Sequence, residues 1–303
     1  MSRVLITGAS GFVGRPLAEM LLAGGSEVHA LSTHHPDGLD ESGVHWHHGD
    51  LLDPATPARV MADTQPERLV HLAWYTAHGR YWSSPANVEW VEASLRLLRA
   101  FAGAGGRRAV LTGSCAEYAW GGEEDLDELD SPLVPRTLYG VCKDGLRRVA
   151  GSFAEESGLE LAWGRLFFLY GPHERPERLV PAVIRALLAG ERVATSAGTQ
   201  VRDFMHVDDV AGALLAVLQS DVVGALNIAS GTGRSVAEML DLIGALTGAS
   251  ELIDRGARPM SADEPPRIVA TVKRLTQEVG FQPSVSLADG FAATIDWWAR
   301  ERA

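Results

Sequence analysis

A short apolar run, Val4-Leu5-Ile6, feeds directly into Thr7-Gly8-Ala9-Ser10-Gly11-Phe12-Val13-Gly14, and a helix pattern over residues 15–22 follows at once. Glycines three apart between a strand and a helix meet two needs. The chain must turn tightly, and its backbone must come close to a bulky anion without a side chain in the way. The free N–H groups and positive dipole end of the following helix then face that anion. Three glycines alone say little in a chain that has 32 of them. The strand before and the helix after make this a dinucleotide-binding signature.

The rest of the chain is organised around that opening. Apolar runs at 4–6, 27–31, 44–47, 68–72, 108–112 and 161–168 alternate with helix patterns at 15–22, 55–63, 88–104 and 138–157. This alternation predicts an α/β fold, a Rossmann-type doubly wound parallel sheet with helices on both faces. Segments 121–135 and 170–178, rich in acids, Pro and Gly, read as long loops above the strand carboxyl ends, where such folds bind ligands. Beyond residue 172 the rhythm loosens into helices at 180–188, 208–218, 236–247 and 287–300 and strands near 192–195 and 225–229. The expected division is a dinucleotide-binding domain over 1–168, with 205–232 returning to it. Residues 169–204 and 233–303 then form a smaller mixed α/β substrate domain.

Charge and composition narrow the partners. At 303 residues with 46% hydrophobic residues the chain builds its core without staples, and a net charge of -12 argues against nucleic acid. Any anionic ligand must therefore be held by local arginines. No apolar stretch reaches the roughly 20 residues of a membrane span. The start enters a strand directly, so no secretory leader is expected. Two cysteines without metal-ligand spacing, Cys115 and Cys142, fit a reducing cytoplasm. His34, His35, His45, His47 and His48 straddle a loop and a strand without ligand spacing, so they read as exposed histidines and no metal is expected. The acidic run 123–130 reads as a solvated loop. Trp74, Tyr75, Tyr81 and Trp82 either stack on a ligand or pack.

The chemistry gathers at Tyr139-Gly140-Val141-Cys142-Lys143, which opens a helix pattern. Tyr and Lys four apart share a helical face, so the ammonium is expected beside the phenol, lowering its pKa for proton exchange with a hydroxyl or carbonyl. Upstream, Ala109-Val110-Leu111 ends at Thr112-Gly113-Ser114, which puts the Ser114 hydroxyl at a strand end. Ser114 with Tyr118, the Tyr139/Lys143 pair, the opening glycines and Asp50-Leu51 together resemble the extended short-chain dehydrogenase/reductase superfamily, over nearly the whole chain. Tyr170-Gly171-Pro172, the stretch from Pro176 to Pro181, Gly198 to Phe204, Val207-Asp208-Asp209 and Asn227 to Gly231 resemble its nucleotide-sugar epimerases, dehydratases and ketoreductases.

That resemblance implies Tyr139 as acid/base, Lys143 as its tuner and nicotinamide-ribose ligand, and Ser114 as hydrogen-bond partner of the reacting oxygen. It implies cofactor contacts from Gly8, Gly11, Phe12, Val13, Gly14, Ser32, Asp50, Leu51, Leu72, Ala73, Trp74, Tyr139, Lys143 and Leu166. Arg178, Arg202 and Arg258 would hold the substrate, a nucleoside-diphosphate sugar, through its diphosphate. The bland alternative pairs Arg178 and Arg202 with Glu177 and Asp203.

Departures from the family pattern decide the reaction. Its 4,6-dehydratases place an acid and a Glu base one and two positions after the residue matching Ser114; here those positions are Cys115 and Ala116. Glu117 comes one residue late and points elsewhere. The 4-ketoreductases and 4-epimerases need only Ser, Tyr and Lys, so a reductase acting on a 4-keto-6-deoxyhexose is expected, with a 4-epimerase as alternative. A dinucleotide sensor without turnover is the third reading, and an intact acid/base set argues against it. Ser32 stands where NAD-binding members carry an acid for the ribose hydroxyls, which favours NADP with NAD as the alternative. Helix patterns 88–104 and 138–157 suggest a homodimer interface, by analogy with relatives.

Overall fold

The computed structural model describes residues 2–34 and 43–302. Its first half alternates strands and helices, except that no described helix separates β2 from β3: β1 (Arg3–Thr7), α1 (Gly14–Ala23), β2 (Glu27–Ser32), β3 (His45–His48), α2 (Thr56–Thr64), β4 (Arg68–His71), α3 (Ala86–Gly103), β5 (Arg108–Ser114), α4 (Leu138–Ser157) and β6 (Glu160–Leu166). There follow β7 (Phe168–Tyr170), α5 (Leu179–Leu188), β8 (Val193–Thr195), β9 (Val201–His206), α6 (Val207–Gln219), β10 (Gly224–Ile228), β11 (Gly233–Ser235), α7 (Val236–Thr247), β12 (Ile253–Arg255), β13 (Arg267–Ile268) and α8 (Leu287–Arg302).

Seven strands form one parallel sheet in the order β10-β6-β5-β4-β1-β2-β3. Side chains alternate faces along each strand, and β1 shows the consequence. Val4 and Ile6 pack with Leu17 and Leu21 of α1 and Val210 and Leu214 of α6, whereas Leu5 packs with residues of α2, α3 and α4. All three are fully buried. Both faces are thus covered, and the doubly wound architecture expected from the alternation is what forms.

The apolar run 161–168 does not continue as one strand. Phe167 N–H turns back to the Ile228 carbonyl at 3.3 Å, and Phe168 to Tyr170 then pair with β9 in a second sheet. Periodicity cannot see that break, because both pieces are apolar and buried on arrival. The second sheet orders β11-β9-β13 with β7 on β9; β8 and β12 pair separately. Helices α5, α7 and α8 share a core beside it around Val183, Ile184, Met239, Ile243 and Phe291.

The acidic run departs from the solvated loop expected of it. Glu128 is buried and accepts from Asn227 N–H at 3.1 Å, while Asp125 pairs with Arg267 and Asp127 accepts from Thr271. The loop is therefore pinned to the 267–271 segment. Only partners distant in sequence could reveal this. Glu123 and Glu124 do stay exposed.

Candidate active site

The opening glycines form a cradle. Gly8 sits at φ +78°, the left-handed region that side chains avoid, and its carbonyl accepts from Gly11 N–H at 3.0 Å. A Cβ on Gly14 would lie 2.2 Å from that carbonyl and 2.6 Å from Ala9 Cα, so helix and strand close up only over glycine. Helix α1 starts with no side-chain cap and no acid in its first turn. Arg15 N–H and Leu17 N–H turn back to the Gly11 and Val13 carbonyls at 3.1 and 3.4 Å, so what fits the pyrophosphate of a dinucleotide is the positive dipole end of α1 behind a backbone that only glycine lets come close.

Around it, Leu72 N–H and Ala73 N–H reach Thr7, and Leu51 is buried beside the exposed Asp50, whose Oδ1 accepts from Leu52 N–H. Leu166 ends β6 against the core. Ser32 ends β2 with its hydroxyl donating to the His34 carbonyl at 2.7 Å. His35 lies outside the described residues. His34, His45 and His48 are exposed, with His45 also stacked on His29, whereas His47 is partly buried and hydrogen-bonded to His29 at 2.9 Å across β2 and β3. Among the described residues no group of His, Cys, Asp and Glu could hold a metal ion.

Strand β5 delivers Ser114 and helix α4 delivers Tyr139 and Lys143, with Thr137 capping α4 by accepting from Gly140 N–H at 3.1 Å. Gly140 allows close contact there: a Cβ would lie 2.3 Å from the Ala116 carbonyl. Burial raises the Tyr139 phenol above its usual range, and its hydrogen bond with Ser114 pulls the other way. Lys143 Nζ donates to the Thr112 carbonyl at 2.8 Å and rests over the Trp74 ring at 3.7 Å. Burial lowers it to about 7 against the pull of Glu117. The expected lowering of the phenol by its lysine is therefore corrected. The ammonium is held by a carbonyl and an indole face, and desolvation dominates both groups.

Sequence reasoning missed several neighbours. His71 is buried, bonded to Thr7 at 2.6 Å and Ser94 at 2.8 Å, and burial lowers its pKa to about 3. It is thus neutral and adds no positive charge near Lys143. Tyr81, Trp82 and Trp74 pack edge-on to Tyr139, so three of the four aromatics left open by the sequence wall the phenol. Glu117 is fully buried and accepts from Ser114 N–H, Trp163 Nε1 and Arg165 Nε at 2.8, 3.0 and 2.8 Å. Its late position does turn it away. Burial pushes the Cys115 thiol up to about 12.

The arginines differ from one another. Arg178, half-exposed before α5, lies 3.8 Å from Glu174 and hydrogen-bonds Tyr81. Arg202 is buried, pairs with Glu264, donates to the Val201 carbonyl at 2.8 Å and has Cys115 among its electrostatic neighbours. Neither uses the neighbour expected of a surface pair: Asp203 instead accepts from Ser230 and Gly231 N–H. Arg258 is exposed after β12.

A doubly wound sheet with a glycine cradle, and Ser, Tyr and Lys converging at its carboxyl edge, define the short-chain dehydrogenase/reductase class. The chain belongs to the NAD dependent epimerase/dehydratase family, which it matches over residues 4–229. It is 29% identical to a dTDP-glucose 4,6-dehydratase of Streptomyces griseus over 99% of this chain and 95% of the relative. It is 28% identical to a UDP-glucose 4-epimerase of Corynebacterium glutamicum, over 93% and 91%. Among solved structures, MoeE5 in complex with UDP-glucuronic acid and NAD superposes with a TM-score of 0.86 at 30% identity, covering 99% of this chain and 100% of that one. A Thermus thermophilus UDP-glucose 4-epimerase in complex with NAD gives 0.87 at 26%, covering 98% of each. No helix among the described residues is long and apolar enough to cross a membrane.

Proposed function

We propose that this protein is an NADPH-dependent 4-ketoreductase of a nucleoside-diphosphate-linked 4-keto-6-deoxyhexose. The observation that carries this reading is the pair following Ser114. Cys115 is a neutral buried thiol and Ala116 has no titratable group, so neither the acid nor the base of a dehydration is present beside the pocket. The phenol of Tyr139, kept protonated by burial, suits donation to an alkoxide better than abstraction from a hydroxyl. The sugar O4 lies between Ser114 Oγ and the Tyr139 phenol; Ser114 hydrogen-bonds it while charge develops, and Tyr139 delivers the proton. The glycine cradle of Gly8, Gly11 and Gly14, with Lys143, would hold the nicotinamide cofactor, which when bound would supply the hydride for C4. Arg178 and Arg202 hold the diphosphate, with Arg258 as a third contact. Ser32, in place of an acid, leaves room for a 2′-phosphate. Residues 1–168 with 205–232 hold the cofactor, and the remainder closes the sugar site. The protein works in the cytoplasm as a homodimer.

The second reading is an NAD-dependent 4-epimerase, favoured by the epimerases among the relatives and by the NAD in MoeE5 and the Thermus enzyme. A reductase leaves its hydride on the product and must exchange its cofactor. An epimerase returns the hydride and needs only a bound catalytic amount. Incubation of dTDP- and UDP-linked 4-keto-6-deoxyglucose with NADPH should give one NADPH oxidised per sugar reduced. Interconversion of two 4-hydroxy sugars without added nicotinamide, by protein that copurifies with NAD, would overturn the reductase in favour of the epimerase.

A further inference from the structure

Asn87, the second residue of α3, is fully buried, and its carboxamide is fully engaged. Oδ1 accepts from Trp74 Nε1 at 2.9 Å, and Nδ2 donates to the carbonyls of Tyr81 and Ser84 at 2.7 and 2.9 Å. These bonds lead in two directions. Trp74 is the face on which Lys143 Nζ rests. The turn from Tyr81 to Ser84 carries the rings that enclose Tyr139, with centroids 5.0 Å away for Tyr81 and 5.7 Å for Trp82, both nearly perpendicular. Tyr139 N–H also donates to the Trp82 carbonyl at 3.1 Å.

We propose that Asn87 is a positioning residue that fixes the Lys143 ammonium and the Tyr139 phenol relative to each other, by holding the indole beneath one and the aromatic wall around the other. A residue serving only to start α3 would need the two turn carbonyls and not the indole. The Trp74 bond is what joins the two halves. Losing it leaves a buried N–H without a partner, a strong incentive for the indole to turn. A turned indole takes the cation–π support from under Lys143. The kinetic part of this inference rests on the reductase reading; the geometric part does not.

The chain offers a direct readout, because Lys143 and Lys273 are its only lysines. The Lys273 side chain is 72% exposed. In lysine-labelled protein the ε-methylene signal of Lys143, over an indole face, should lie upfield of that of Lys273 through the ring current. In Asn87→Ala it should move most of the way to the Lys273 position. Reduction of the keto sugar should fall about 10- to 100-fold in kcat, with KM within about twofold, as expected when reacting groups are misaligned and binding is spared. Asn87→Asp keeps an acceptor for the indole, so it should retain the Lys143 shift and recover part of kcat. If Asn87→Ala does not fold, Trp74→Phe cuts the same bond from its other end and should show the same split between kcat and KM. A Lys143 signal in the wild type at the Lys273 position, or a folded Asn87→Ala that keeps the upfield shift, overturns the proposal. So does a kcat within about threefold in folded Asn87→Ala or Trp74→Phe, provided the wild type reduces the sugar. A wild type without reductase activity would instead reject the functional reading and leave the lysine signals to decide Asn87.

Discussion

Tyr139 presents its phenol within a wall of three aromatic rings, beside Ser114 and above a lysine whose charge is marginal at neutral pH. Replacing it by Phe keeps the ring contacts and removes only the hydroxyl that carries the proton. Tyr139→Phe should therefore lower kcat by about 10²- to 10⁴-fold while the thermal midpoint stays put; a variant with a third of the activity would remove Tyr139 from the mechanism. Glu174 gives a prediction in pH. It is buried, with Oε2 unpartnered and Oε1 3.8 Å from Arg178, and burial raises it from 4.5 to about 8. The folded chain thus keeps a proton that the unfolded chain releases. Its contribution to stability is fully present below pH 4.5 and is lost as pH rises through 8. Glu174→Gln has no proton to lose, so its stability relative to wild type should climb between those pH values and level off above. Urea unfolding at several pH values measures this, and a flat difference would contradict the raised pKa.

At the scale of elements, two joints hold the site in register. Gly14 lets α1 close on β1 under the cradle, where a Cβ would meet the Gly8 carbonyl. Gly14→Ala should destabilise the protein by about 1–3 kcal/mol, the cost of overpacking, and weaken dinucleotide binding, read by thermal unfolding and NADPH fluorescence titration. The other joint is Glu117 with Arg165, both fully buried at 2.8 Å, which locks the end of β5 to β6; Arg147 of α4 approaches the same carboxylate at 3.7 Å. Removing one partner of a buried pair strands the other charge. Glu117→Ala should cost about 3–5 kcal/mol in denaturant unfolding. A loss under about 1 kcal/mol would mean that Arg165 finds water.

For the whole molecule, the proposed homodimer has a physical counterpart in Val88 of α3 and Val141 and Val149 of α4, which are 48%, 50% and 53% exposed. Val141→Glu with Val149→Glu should give a monomer in sedimentation experiments, and a dimer that persists would move the interface elsewhere. Much of this architecture was legible in the sequence because its signals are local. Strand, glycine spacing and helix lie within the first 23 residues, the four-residue step from Tyr139 to Lys143 is one helical turn, and Ser114 ends an apolar run. Local signals also mark Cys115 and Ala116, on which the choice of reaction rests. Only the tertiary structure decided how those groups are charged and who holds them. Lys143 falls to about 7 because the completed fold buries it away from water, leaving the ammonium a strand carbonyl and the Trp74 face as partners. Arg202 pairs with Glu264, 62 residues away, Glu128 with a backbone group 99 residues away, and Asn87 with the indole beneath the lysine. Residue type and spacing determine which backbone conformation a segment takes. Desolvation and pairing depend on whatever the completed fold packs against it, and no window of sequence contains that.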